Sequence, residues 1–97
     1  MADTFAVLNP MGFAPKVMPK ALAPRLPSLE GKTLYLVDCR FDDSDVFLEQ
    51  MRAWFAEHLP GVRPVVKRIS SVYLNDDPAT WEEIQARGDA AIVGVGH

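Results

Sequence analysis

Near its carboxyl end the chain runs Ala90-Ala91-Ile92-Val93-Gly94-Val95 without one charged side chain, then turns to Gly96-His97. A short, continuous apolar run of this kind is the mark of a strand in a parallel sheet, buried on both faces. It is expected to be an interior strand, and it obliges the rest of the chain to supply parallel neighbours and covering helices. In open α/β sheets, ligands and chemistry gather at the carboxyl ends of the strands. The Gly96-His97 loop is therefore where function is expected to concentrate. Residues placed beyond that loop, by this gene or by a partner chain, are expected to decide the activity.

The preceding sequence meets that obligation. Thr33-Leu34-Tyr35-Leu36-Val37-Asp38 has the β-branched and aromatic content of a strand. Asp42, Asp43, Ser44 and Asp45 offer helix N-caps and negative charge at the positive end of the helix dipole. Phe47, Met51, Trp54, Phe55, His58 and Leu59 then recur at spacings of three and four, which predicts one buried helix face closed by Pro60-Gly61. A second strand is expected from Arg63 to Ser70, its Lys67-Arg68 pair placing it near an edge. Asp77-Pro78 joins a cap acceptor to a proline at the first helical position, which predicts a helix to Arg87 with Trp81 and Ile84 inward and Gly88 after its end. The predicted fold class is α/β: β-α-β-α-β, a three-stranded, mostly parallel sheet in order 2-1-3 with flanking helices.

Residues 1–31 precede this unit as a proline-rich arm, and residues 32–97 form a single α/β domain. The arm carries Phe5, Val7, Leu8, Met11, Phe13, Val17, Met18, Leu22 and Leu26, more large apolar groups than a disordered tail holds. Asn9-Pro10-Met11-Gly12 reads as a tight turn, and Phe5 to Leu8 as a short extended edge. The arm is expected to pack on its own domain in preference to a neighbouring subunit.

Bulk properties exclude several classes. With 97 residues, 48% hydrophobic and 24% charged, the chain is an ordinary globular domain. A domain of this size hides only about 60–65% of its unfolded surface, so a partner subunit would add needed burial. The net charge of −3 and the scattered lysines and arginines argue against nucleic acid. Prolines 10, 15, 19, 24 and 27 break any apolar run in the arm, so neither a signal peptide nor a membrane span fits. Cys39 is the only cysteine; no internal disulfide forms, and a reducing cytoplasm suits the chain.

Few residues carry candidate chemistry. Cys39 follows the first strand and adjoins Arg40, whose cation would favour a thiolate; as a small half-buried residue at a strand end it also fits a packing role, which cysteine fills readily. Asp38, Asp42, Asp43 and Asp45 could offer oxygen ligands to Mg²⁺, yet their place before a helix favours capping. Gly94-x-Gly96 lacks the third glycine and following helix of a dinucleotide fingerprint; these glycines suit close backbone approach to a ligand. His97 would join the active-site loop, while His58 reads as packed. Trp54 and Trp81 read as packing too. No metal site and no cofactor is expected.

Three segments carry a family resemblance. Val7-Leu8-Asn9-Pro10-Met11-Gly12 resembles a VLDPTG-like opening element. Leu22-Ala23-Pro24-Arg25-Leu26 with Leu29-Glu30-Gly31-Lys32-Thr33 resembles an LAPRL…L.GKT approach to the first strand, and Asp89 to Gly96 resembles a DAVVxGVG strand. In these the chain is similar to the amino-terminal half of the UGSC family of thiol-disulfide oxidoreductase-like proteins and selenoproteins. The resemblance implies a Cys-Gly-Ser-Cys motif, or selenocysteine in its first position, just after the last strand. None of that motif lies within the 97 residues, so none of its roles is carried over. A selenocysteine UGA codon read as stop would give a product ending at His97; a split gene with the motif on another chain is the rival account.

The resemblance thus implies a truncated or split scaffold half of a thiol/selenol-disulfide oxidoreductase-like protein, inactive alone, with Asp38, Cys39, Arg40, Gly94, Gly96 and His97 along its ligand edge. The alternative is a non-enzymatic subunit or binding module that pairs through its open sheet edge; a ligand-binding α/β domain using the same edge as a pocket is a third. A homodimer, or a partner chain supplying the missing half, is expected in the first two cases.

Overall fold

The computed structural model describes residues 3–96. The element order is β1 (Thr33–Asp38), α1 (Ser44–His58), β2 (Arg63–Arg68), α2 (Pro78–Arg87) and β3 (Ala90–Gly94). The three strands form one parallel sheet in the order β2-β1-β3. The α/β alternation, the strand order and the parallel pairing all match the sequence expectation.

β1 is the centre. Leu34 through Asp38 are all buried, at 4% exposure or less, because β1 is paired on both sides and covered on both faces. The two faces of the strand define two clusters. Leu34 and Leu36 pack with Leu48 and Val62, and with Met51 and Phe55 of α1. Tyr35 and Val37 pack with Ile69, Val65 and Ile84 of α2 on the other side. The molecule is therefore a three-layer α/β/α unit with helices on opposite faces.

α1 differs from its sequence reading in two ways. Its fully buried residues are Ser44 and Leu48, with Met51 and Phe55 half-buried, whereas Phe47 is 54% and Trp54 50% exposed. The apolar stripe is wider than the sheet beneath it; α1 sits over β1 and β2, and the flank toward β3 is uncovered. Trp54 instead stacks on His58 at 4.7 Å, and His58, expected to be packed, is exposed with its Nδ1 3.1 Å from the Trp54 carbonyl oxygen. The expected acidic cap is also absent: Asp43 takes a left-handed conformation, φ 61°, and makes no side-chain cap bond. The chain enters α1 through a turn in which the Ser44 amide donates to the Phe41 carbonyl.

The start of α2 follows the sequence closely. Asp77 accepts from the Thr80 hydroxyl at 2.6 Å and from the Thr80 amide, and Pro78 takes the first helical position. Its carboxylate also accepts from the Ser70 amide at 2.8 Å, tying the end of the β2 segment to the helix start. Trp81, expected inward, is 41% exposed; its indole N–H reaches the Asp76 carboxylate. Gly88 closes the helix where a side chain has no room: a Cβ there would lie 2.8 Å from both the Tyr35 ring and the Ile84 carbonyl.

Two further expectations are corrected. β3 is an edge strand among the described residues, with β1 as its one partner, and Ile92 and Val93 are 38% and 56% exposed. The apolar run reads as interior because it is uncharged on both faces; in the fold its second edge and much of both faces meet solvent. The arm, expected to lie on its own domain, is exposed along residues 3–30 and gives the molecule its 73 Å long axis. Residues Phe5 to Leu8 form no strand, while the turn at Asn9 does form, with the Met11 amide donating to Asn9 Oδ1 and Gly12 at φ 65°. The arm joins the body where the Gly31 amide donates to the Gly61 carbonyl.

Truncating the buried centre of α1 tests this packing. Leu48→Ala should cost about 2–5 kcal/mol in urea denaturation, whereas Trp54→Ala, at a position that periodicity assigns to the core, should cost much less. The Asp77 carboxyl is lowered from 3.8 to about 2, first by the Thr80 hydroxyl and then by the Ser70 amide. A depressed carboxyl adds stability that is complete above its unfolded pKa and is lost as pH falls through the folded one. Stability should therefore decline between about pH 4 and pH 2, and Asp77→Asn should flatten that part of the urea-midpoint profile.

Candidate functional site

The carboxyl ends of β1 and β3 and the amino end of α1 meet at one point. The parallel register runs Asp38 opposite Gly94, so the two strands finish level. Beyond them the Cys39 amide donates to the Gly94 carbonyl at 3.0 Å. The fully buried Ser44 hydroxyl donates to the same carbonyl at 3.1 Å and accepts from the Val95 amide at 3.1 Å. One hydroxyl thus fixes both polar groups of the backbone as it leaves β3. This contact spans fifty residues of chain, so nothing local in the sequence announces it; Ser44 reads there only as a cap.

Asp38 is the second anchor. It is 1% exposed, and its Oδ1 accepts from the Arg40 amide at 2.7 Å. Its Oδ2 lies 3.7 Å from Arg68 Nε, and its carbonyl accepts from the Ile69 amide. The tight Asp38–Arg40 turn carries Arg40 at φ 67°, in the left-handed region that costs a non-glycine residue energy and that the Asp38 bond offsets. Arg40 sends its guanidinium across the end of the sheet to the Ser70 carbonyl at 3.1 Å and the Ile69 carbonyl at 3.5 Å. Phe41 stacks on Tyr73 at 4.3 Å and fastens the β1–α1 loop to the β2–α2 loop.

Cys39 stands in the middle of these contacts as a free, half-buried thiol. Burial, and after it the neighbouring Asp38 carboxylate, pushes its pKa above the ordinary 9.0. The sequence pairs Cys39 with the Arg40 cation; the structure directs that cation to carbonyl oxygens instead. Cys39 is accordingly a protonated, weakly nucleophilic thiol at neutral pH.

The predicted site residues Asp38, Cys39, Arg40 and Gly94 are thus brought together. Gly96 is exposed, two residues past the end of β3. His97 lies outside the described residues. Asp42, Asp43 and Asp45 do not join the site, and among the described residues no three His, Cys, Asp or Glu side chains are grouped as a metal ion would need. Among them also, no helix is long and apolar enough to cross a membrane.

Two measurements probe this edge. Ser44→Ala leaves the Val95 amide without its acceptor and should cost about 1–3 kcal/mol, with faster hydrogen exchange at Val95 than in the parent. Alkylation of Cys39 by iodoacetamide at pH 7 should run several-fold slower than that of a free cysteine and should still be accelerating above pH 9.

Comparison with known proteins places this architecture. No curated protein and no solved structure matches the chain. The sequence model of the UGSC family matches residues 6–97, from the exposed arm through the strand that Ser44 holds in place. Arm, sheet and carboxyl edge are all contained in that match, and the chain belongs to the UGSC family.

Proposed function

We propose that this chain is the scaffold half of a thiol/selenol-disulfide oxidoreductase-like protein, without activity of its own, whose redox motif comes from residues outside these 97. The observation that carries the reading is the clamp at the end of β3: Ser44 holds the Gly94 carbonyl and the Val95 amide beside Cys39. Whatever backbone continues from that point, or docks beside it, starts from a fixed position at the carboxyl edge of the sheet, where α/β proteins place their chemistry.

Thiol-disulfide exchange needs an attacking thiolate and a second thiol to resolve the mixed disulfide. The attacking sulfur forms a bond to one substrate sulfur as the other departs as a thiolate. The resolving thiolate then displaces the second half of the substrate, leaving the protein oxidised and the substrate reduced by two electrons. One protonated cysteine in 97 residues cannot complete those steps. A reducing compartment such as the cytoplasm is the setting this reading implies.

The test has two parts. The coding sequence beyond His97, or that of a partner chain, should carry a Gly-Ser-Cys run preceded by cysteine or selenocysteine. The 97-residue chain should not reduce a small aromatic disulfide, while the chain joined to the motif-bearing segment should. Turnover by the isolated chain, or none by the joined protein, refutes the reading. A second reading, a non-enzymatic subunit or binding module, is favoured by the open β3 edge; it predicts a stable complex with no turnover in the same assay.

A further inference from the structure

The two edges of the sheet differ. β2 presents Arg63, Pro64, Lys67 and Arg68, and Lys67 is tied to Glu83 at 3.3 Å. Proline and charge are the ordinary means by which an edge strand is kept from pairing with another chain. β3 is Ala-Ala-Ile-Val-Gly and carries neither. Beside it lies a groove of about 480 Å³ lined by Phe47, Gln50, Met51, Trp54, Phe55 and Ile92. None of these side chains is ionisable. The unguarded edge and the groove share Ile92, so they form one continuous apolar surface.

We infer that this surface is covered by a second copy of the same chain, β3 against β3, with the amino-terminal arms contributing to the contact. An isologous two-fold interface sets each residue against the same patch, so a charged patch would oppose itself. The β3 strand and the groove lining are free of charge. An antiparallel pairing centred on Ile92 sets Ala91 opposite Val93 and completes a six-stranded sheet from two three-stranded halves.

The available area also indicates a second copy that brings its arm. Phe47, Trp54, Ile92, Val93 and Val95 are 38–56% exposed, which amounts to on the order of 400 Å² of side chain. A stable interface needs about 800 Å² per partner. The arm supplies the difference: Phe5, Leu8, Phe13 and Leu22 are 84–102% exposed and are left uncovered by their own body. The dimer does not depend on the redox reading, since it concerns only the edge, the groove and the arms.

Sedimentation equilibrium of the full chain from about 1 to 100 µM tests it, a span that brackets the micromolar affinity of a modest interface. The mass should rise with concentration from 10.8 kDa toward twice that value. Val93→Lys on the edge and Trp54→Glu in the groove should each weaken association at least tenfold. Both positions are half exposed, so circular dichroism of the variants should match the parent, and their urea midpoints should fall far less than that of Leu48→Ala. The double variant Leu8→Asp/Phe13→Asp should weaken association at least fivefold. Loss of association in either the edge or the groove variant supports the interface. A mass of 10.8 kDa throughout, or association that neither variant disturbs, overturns it, and association indifferent to the arm variant removes the arm from it.

Discussion

The burial of β1 is the constraint on which the structure rests. Five consecutive residues, Leu34 to Asp38, lose nearly all solvent contact because β1 is paired on both edges and covered on both faces. Each further element is placed by that strand. α1 packs through Leu48 on the Leu34 and Leu36 face, and α2 through Ile84 on the Tyr35 and Val37 face. In a domain this small the hydrophobic contribution is concentrated in a few side chains, and among the described residues β1 supplies four of the seven buried apolar ones.

The same burial explains the polar edge. A strand buried to its last residue ends in a place where its polar groups cannot reach bulk water, so they must be bonded internally. Asp38 and Ser44 meet that need. Asp38 holds the Arg40 turn, and Ser44 holds the exit of β3. Among the described residues, no buried side-chain nitrogen or oxygen lacks a partner. The result is a rigid rim around one protonated thiol, an arrangement suited to positioning other groups more than to attacking a substrate.

Against this well-packed centre stands a periphery whose apolar side chains are not matched to its own body. Phe47, Trp54, Ile92 and Val93 are exposed beside an arm of exposed phenylalanines and leucines. The contrast has one physical source. A three-stranded sheet with two helices covers its central strand fully, but it has no further layer for the outer flank of α1 or the free edge of β3.

The sequence alone determined the element order and the strand and helix identities, because these follow from local signals: β-branched content in Thr33 to Asp38, three- and four-residue spacing in α1, and the Asp77-Pro78 start of α2. It also marked β2 as an edge through Lys67 and Arg68. Only the tertiary structure decided which part of the α1 surface is buried, since periodicity defines a face but not the strand beneath it; Leu48 packs on β1 and Ser44 bonds the end of β3, while Phe47 and Trp54 stand half exposed beside Ile92. The target of Arg40 and the clamp formed by Ser44 depend on residues up to 51 positions apart. Contacts of that span arise when parallel strands finish side by side, and no local pattern of residues encodes them.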